Sequence, residues 1–155
     1  MKLLLRFLAV IFKFYLWVFR PITIGVRVLV LDQQGRLLLV KHTCNKGWHL
    51  PGGGVGRRET VRAGMQRELR EEVHIECTGE PEMVPLIYHN PSFSPNDHVL
   101  LFIVKDWQSI QGLKASWEIE EFRFFELDSL PAGITPGTRR RIEEYKGESA
   151  FSEVW

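Results

Sequence analysis

Between residues 61 and 73 the apolar side chains Val61, Met65, Leu69 and Val73 recur every fourth position. At about 100° per residue they share an arc of roughly 120°, the face a helix turns to a core. The spacing predicts a helix over residues 59–73, with Thr60 or Glu59 suited to its start. Ile22 to Leu31 is rich in β-branched residues and predicts a strand. Asp32-Gln33-Gln34-Gly35 is turn chemistry and Arg36 to Lys41 reads as the returning strand, so residues 22–41 predict a β-hairpin. Further strands are expected at 75–78, 84–89, 98–105 and from Glu118 onward. Loops are expected at 42–47, 90–97 and 106–116. Thr135-Pro136 opens a last helix over 136–146, with proline in its first turn. The tail beyond it carries Phe151 and Trp155 as candidates for docking.

The first twenty residues follow another rule. They are almost wholly apolar and aromatic, broken by Lys2, Arg6, Lys13 and Arg20. On a helix these cations fall within an arc of about 40°. A narrow basic stripe on an apolar helix suits a membrane surface, with the cations reaching toward headgroups. Packing on the chain's own domain, or on a second subunit in a homodimer, is the competing reading. A transmembrane span is disfavoured, because Lys13 at its centre would cost about 2.5–3.5 kcal/mol. No small-residue cleavage site supports a secretory signal. Pro21 marks the helix boundary. The expected organisation is a hydrophobic, basic helix over 1–20, a folded domain over 21–147 and a tail over 148–155.

Composition adds limits. The chain has 155 residues, enough for one domain with a real core, and 45% hydrophobic with 25% charged residues is an ordinary globular balance. A net charge of +1 gives no bulk electrostatic case for nucleic acid. Cys44 and Cys77 lack metal or redox spacing and read as free thiols in a reducing compartment. This places the chain in the cytoplasm, or on the cytoplasmic face of a membrane if the first helix lies in the interface.

The chemistry concentrates in LPGGGVGRRETVRAGMQRELREEVHI, residues 50–75. Glu68, Glu71 and Glu72 fall on an arc of roughly 100° beside the apolar face, with Glu72 nearest that face and Glu71 farthest from it. Gly64, one turn earlier on the same arc, is expected to leave open space beside them. Converging carboxylates raise one another's pKa, and a hard divalent cation such as magnesium or manganese relieves the repulsion. The same run also suits a solvated face, with Arg67 pairing Glu71 at i,i+4. Gly52, Gly53 and Gly54 lead into the helix and allow backbone groups to face a ligand. Trp48, just upstream, is a candidate for stacking on a base, with core packing the commoner outcome. His42 and His49 are candidates for phosphate contact or for a plain loop surface.

This stretch resembles the Nudix box. The matching positions are Gly53, Glu59, Arg67, Glu68, Leu69, Glu71, Glu72 and Ile75, and His74 stands where the family has its last glycine. The resemblance implies an α/β/α sandwich with a mixed β-sheet. It implies hydrolysis of a nucleoside diphosphate linked to another moiety, a small-molecule substrate. It implies Mg2+ or Mn2+ held by Glu68, Glu71, Glu72 and the Gly52 carbonyl, with Gly53, Glu59 and Arg67 as structural support. A late glutamate, one of Glu118, Glu120 and Glu121 with Glu118 or Glu120 favoured, is implied as metal ligand or general base. Arg57 and Arg58 replace residues that are commonly an acid and a glycine, and are candidates for substrate phosphate. At His74 a left-handed turn would cost about 1–2 kcal/mol. Two other readings stand beside hydrolysis. One is a nucleotide-binding sensor or adaptor on the same fold. The other is a diphosphate isomerase, for which Cys44 and Cys77 supply no motif.

Overall fold

The elements run α1 (Lys2–Phe19), β1 (Thr23–Val30), β2 (Leu37–His42), α2 (Val61–Val73), β3 (Ile75–Cys77), β4 (Glu82–His89), β5 (Asp97–Val104), β6 (Trp107–Ser109), β7 (Ile119–Phe125) and α3 (Pro136–Lys146). They come from a computed structural model that describes residues 2–19, 22–113 and 115–155. Arg20 and Pro21 lie outside the described residues, as do the side chains of Lys2 and Arg6.

The central strands are apolar on both faces, and this fixes the layering. Val26, Val28 and Val30 of β1 enter one core with Met65, Leu69 and Val73 of α2. Leu29, between them, enters a second core with Ile142 of α3. β5 divides likewise, Phe102 and Val104 to the first core, Val99, Leu101 and Ile103 to the second. β2 sends Leu38 and Val40 one way, Leu37 and Leu39 the other. Each such side chain contributes about 1.5–3 kcal/mol by burial. The strands are thus held between α2 and α3, an α/β/α sandwich.

The sheet is mixed. β1 runs parallel to β5, from Thr23 opposite Asp97 to Val30 opposite Val104, and β4 is antiparallel to β5 on its other edge. Pro85 falls where the β4 register shifts, between Met83 and Ile87, as a residue without an N–H should on an edge strand. β2 pairs antiparallel with β7, and β3 with β6.

The expected hairpin over 22–41 does not form. Its turn does, with Asp32 accepting from the Gln34 and Arg36 amides and from the Arg36 side chain. Beyond the Leu31–Leu37 bridge, however, the two strands part into different sheets. The reason is competition for an edge. The glycine turn occupies the second edge of β1, with Val26 N–H on the Gly53 carbonyl at 2.9 Å and Val28 N–H on the Pro51 carbonyl at 3.0 Å. Three smaller differences follow local chemistry. The helix starts at Val61 because Thr60 caps it, its hydroxyl accepting from Ala63 N–H at 3.1 Å. The expected loop 106–116 contains β6, which borrows β3 as a partner. The tail is tied down: Trp155 packs edge-on against Tyr88, and its amide donates to the His89 carbonyl.

Candidate functional site: a glycine turn closed by two glutamates

The turn at residues 50–54 lies across β1, and the second half of α2 faces it through Arg67, Glu68 and Glu72. Gly52 has φ 130, a region open essentially to glycine, and its N–H donates to Glu72 Oε2 at 2.9 Å. Gly53 is required for another reason. A β-carbon there would stand 2.6 Å from Glu68 Oε1, so the carboxylate of Glu68 occupies the place of a side chain. Glu68 and Glu72, one helical turn apart, therefore close on consecutive glycines.

A bracing network surrounds them. The Arg67 guanidinium reaches Glu59 at 2.8 Å, Glu68 at 2.8 Å, Glu71 at 3.0 Å and the Gly54 carbonyl at 2.8 Å. Glu59 also accepts from the Gly56 N–H. The Glu59 carboxyl is held below the usual range, chiefly by Arg67. The space beside Gly64 is not open as the sequence suggested. It is filled by Glu59, whose Oε1 lies 3.2 Å from where a β-carbon would be.

Electrostatics separate the three box glutamates. Glu72 is 4% exposed, and burial pushes its carboxyl up to about 7; the charges of Glu68 and Glu118 push the same way, against the Gly52 N–H and Arg27. Burial also raises Glu68, against the pull of Arg67. The Glu71 side chain is 59% exposed and drawn to Arg67. Among the late glutamates, Glu118 and Glu120 are both exposed and Glu121 is engaged by Lys41 and Arg123; Glu118 is the one whose charge acts on Glu72. The backbone places Glu118 here: its carbonyl accepts from Thr43 N–H, and the nearby Ser116 N–H donates to the Glu72 carbonyl.

His42 sits beside this cluster, Nε2 3.8 Å from Glu72 Oε1, with its ring edge-on to His49. Burial and the positive charges of Arg27 and His49 hold His42 down to about 4. Burial disfavours the charged form of both groups, so their contact is not an ion pair. The sequence treated both histidines as candidate phosphate contacts or loop surface; the structure brings His42 to the glutamates.

Trp48 corrects the stacking expectation. It is 5% exposed, packed edge-on against Phe125 with Lys41 over its ring, so no face is free for a base. Arg57 and Arg58 lie exposed on the loop before α2, and Arg58 has φ 66. His74 ends α2 in the left-handed conformation the sequence anticipated, φ 57 and ψ 38, its N–H on the Arg70 and Leu69 carbonyls. Cys44 is exposed, and Cys77 is buried with its thiol pushed up by that burial. Arg27 was missed. A lone cation in the apolar strand TIGVRVLV is its sequence signal. Its Nη1 donates to the Gly52 carbonyl and, more distantly, to Leu50 at 3.5 Å.

The donor set suits a divalent cation in chemistry: hard oxygens, with a buried carboxylate crowded by like charges. Its present arrangement is narrower than the box implies. Among the described residues no group of three or more His, Cys, Asp or Glu side chains stands ready to hold a metal ion. Glu71 is turned to Arg67 and the Gly52 carbonyl is taken by Arg27, leaving Glu68 and Glu72 as the closing pair.

The family model described as the NUDIX domain matches residues 21–145. A Bacillus subtilis protein, provisionally named an 8-oxo-dGTP diphosphatase, is 26% identical over 124 residues, 80% of each chain. The ADP-ribose pyrophosphatase of Methanocaldococcus jannaschii is 35% identical over 108 residues, 66% of this chain and 61% of that one. A MutT NUDIX hydrolase from Burkholderia pseudomallei superposes with a TM-score of 0.68 at 22% identity, covering 79% of this chain and 97% of its own.

Proposed function

The chain belongs to the Nudix family, hydrolases acting on phosphoric anhydrides, and from that premise we propose a divalent-metal-dependent pyrophosphohydrolase that cleaves a nucleoside diphosphate linked to another moiety. One observation carries the reading: the carboxylates of Glu68, half-buried, and Glu72, buried, close side by side on the Gly52–Gly53 turn, where burial pushes both upward and the charge of Glu68 pushes Glu72 further. Glu68, Glu71 and Glu72, with the Gly52 carbonyl, would hold the ion. Bound there, magnesium or manganese would neutralise the diphosphate and lower the pKa of the attacking water.

The chain's own groups do the rest. Glu118 is the favoured general base among the late glutamates, because it is the one whose charge acts on Glu72. Glu59 and Arg67 keep the glycine turn and the acidic face in register through their shared hydrogen bonds. Arg57 and Arg58 offer exposed cations for substrate phosphate.

The test is a panel of nucleoside diphosphate compounds with Mg2+ and with Mn2+, scored by product identity. It begins with 8-oxo-dGTP and ADP-ribose, which the names of two relatives carry. Metal-dependent release of a nucleoside phosphate from at least one member is expected. Nucleotide binding without any product would favour the sensor reading, and a product of unchanged mass the isomerase.

For α1 we propose membrane-surface attachment. Leu8, Ile11, Phe12 and Val18 are exposed on it, and none of its residues is acidic. Among the described residues no helix is long and apolar enough to cross a membrane. Flotation with anionic vesicles should carry the full chain but not a chain lacking residues 1–20. Equal partition would remove this reading, and a concentration-dependent dimer lost with the same deletion would replace it.

A further inference from the structure

The Gly52 carbonyl is claimed twice. The family reading gives it to a metal ion; the structure gives it to Arg27, whose Nη1 donates to it. The Arg27 guanidinium also feels the charges of Glu72 and Glu68, and of Asp97. It therefore stands where a divalent ion would draw its favourable interactions, and it arrives there by construction. β1 carries it under the turn, Gly53 is bonded to the residue before it and Pro51 to the residue after it. A β-carbon on Gly52 would collide with the Val26 carbonyl and then with the Arg27 Cα, so the turn packs directly on the stretch of β1 that carries the arginine.

We propose that Arg27 is a positioning residue that competes with the divalent ion for the Gly52 carbonyl and for the charge of Glu68 and Glu72, and so sets how tightly the site binds metal. This rests on the metal reading of the same site. With no ion bound, the guanidinium balances part of the carboxylate charge and holds the carbonyl in place. Two positive charges a few ångströms apart repel strongly at a half-buried site, where screening by water is weak. Binding an ion therefore works against the Arg27 contact with the carbonyl, and the competition weakens metal affinity while Arg27 braces the empty turn.

The experiment reads Mn2+ binding directly, by electron paramagnetic resonance of free Mn2+ without substrate, for the full-length wild type, Arg27→Met, Arg27→Lys and Glu72→Gln. Arg27→Met should bind Mn2+ about tenfold tighter than wild type, within the range usual for coupled sites. Arg27→Lys, which keeps the charge, should stay within about threefold of wild type, a charge coupling rather than a packing effect. Arg27→Met equal to or weaker than wild type would overturn the competition while leaving the metal reading intact, provided Glu72→Gln weakens binding. Equal binding by wild type and Glu72→Gln would overturn both. Should Arg27→Met fail to fold, the wild type answers alone. Titrating Mg2+ should shift the Arg27 side-chain nitrogen resonances and speed their proton exchange, and unchanged resonances at saturating Mg2+ would overturn the proposal.

Discussion

Glu72 carries the sharpest consequence at the scale of single residues. Its carboxyl has an ordinary value of 4.5 unfolded and about 7 folded. A raised carboxyl favours the protonated form in the native state, so metal-free stability is intact below 4.5 and falls as pH rises through 4.5 to 7, by about 3 kcal/mol. His42 acts in the opposite sense. Held at about 4 against an ordinary 6.5, it gives stability that is present above 6.5 and lost as pH falls toward 4. The two slopes oppose each other in the wild type and flatten its profile. In denaturant melts of the metal-free protein, Glu72→Gln should therefore gain stability over wild type as pH rises from 5 to 8. A constant difference across that range would contradict the assignment. Arg58 and His74 invite a simpler test. Both hold positive φ, 66 and 57, where a β-carbon is strained. Glycine at position 58 should stabilise the fold by about 1 kcal/mol, and a fall in melting temperature would contradict this. His74, the one departure from the box, marks a strain at the end of α2 and touches none of the glutamates' hydrogen bonds described above.

At the scale of elements, α3 and the tail form a unit that the sequence concealed. The Arg141 and Glu144 side chains are both fully buried, 2.6 Å apart, with the guanidinium 4.0 Å from the Tyr88 ring centroid. Tyr88 also donates to Glu144, and its hydroxyl is pushed up to about 12, chiefly by burial. Glu144→Ala leaves Arg141 without its counter-charge and should cost about 3–5 kcal/mol in chemical denaturation. A loss below 1 kcal/mol would show that the pair is not closed from water. Arg139, Arg140 and Arg141 form one run in the sequence, and nothing in RRR distinguishes the arginine that the tail covers. The same limit explains the hairpin. Asp32 to Arg36 was readable as a turn because its chemistry is local. The pairing partner was not readable, because the claim of Pro51 and Gly53 on β1 depends on a contact some 25 residues away along the chain. By contrast, α2, its cap at Thr60 and the left-handed His74 were all legible, since each is decided within a turn or two.

For the whole molecule, the layering was legible through the resemblance carried by residues 53–75, and the structure supplies its physical reason: β1, β2 and β5 are apolar on both faces, with α2 on one core and α3 on the other. The candidate site was legible as a set of positions and illegible as a set of contacts. The positions 68, 71 and 72 predicted three converging carboxylates. The structure brings two of them onto the glycine turn, gives the third to Arg67, and inserts an arginine that no box position announces. That division follows the order helical spacing gave, Glu72 nearest the apolar face and Glu71 farthest from it; the contacts depend on where β1 runs beneath the helix, which spacing does not show. It also ranks the glutamates. Glu72, buried and bonded to Gly52, should be indispensable, while Glu71, exposed, should be less so.

The most direct test of this account is turnover of the best substrate in the panel with saturating Mg2+, comparing the wild type with Glu72→Gln. The account expects metal-dependent hydrolysis to fall by about 100-fold or more in the variant, with its circular dichroism spectrum and melting cooperativity unchanged. Turnover within a few-fold of wild type would mean that the chemistry is carried elsewhere, and that the carboxylate pair on the Gly52–Gly53 turn is a structural feature alone.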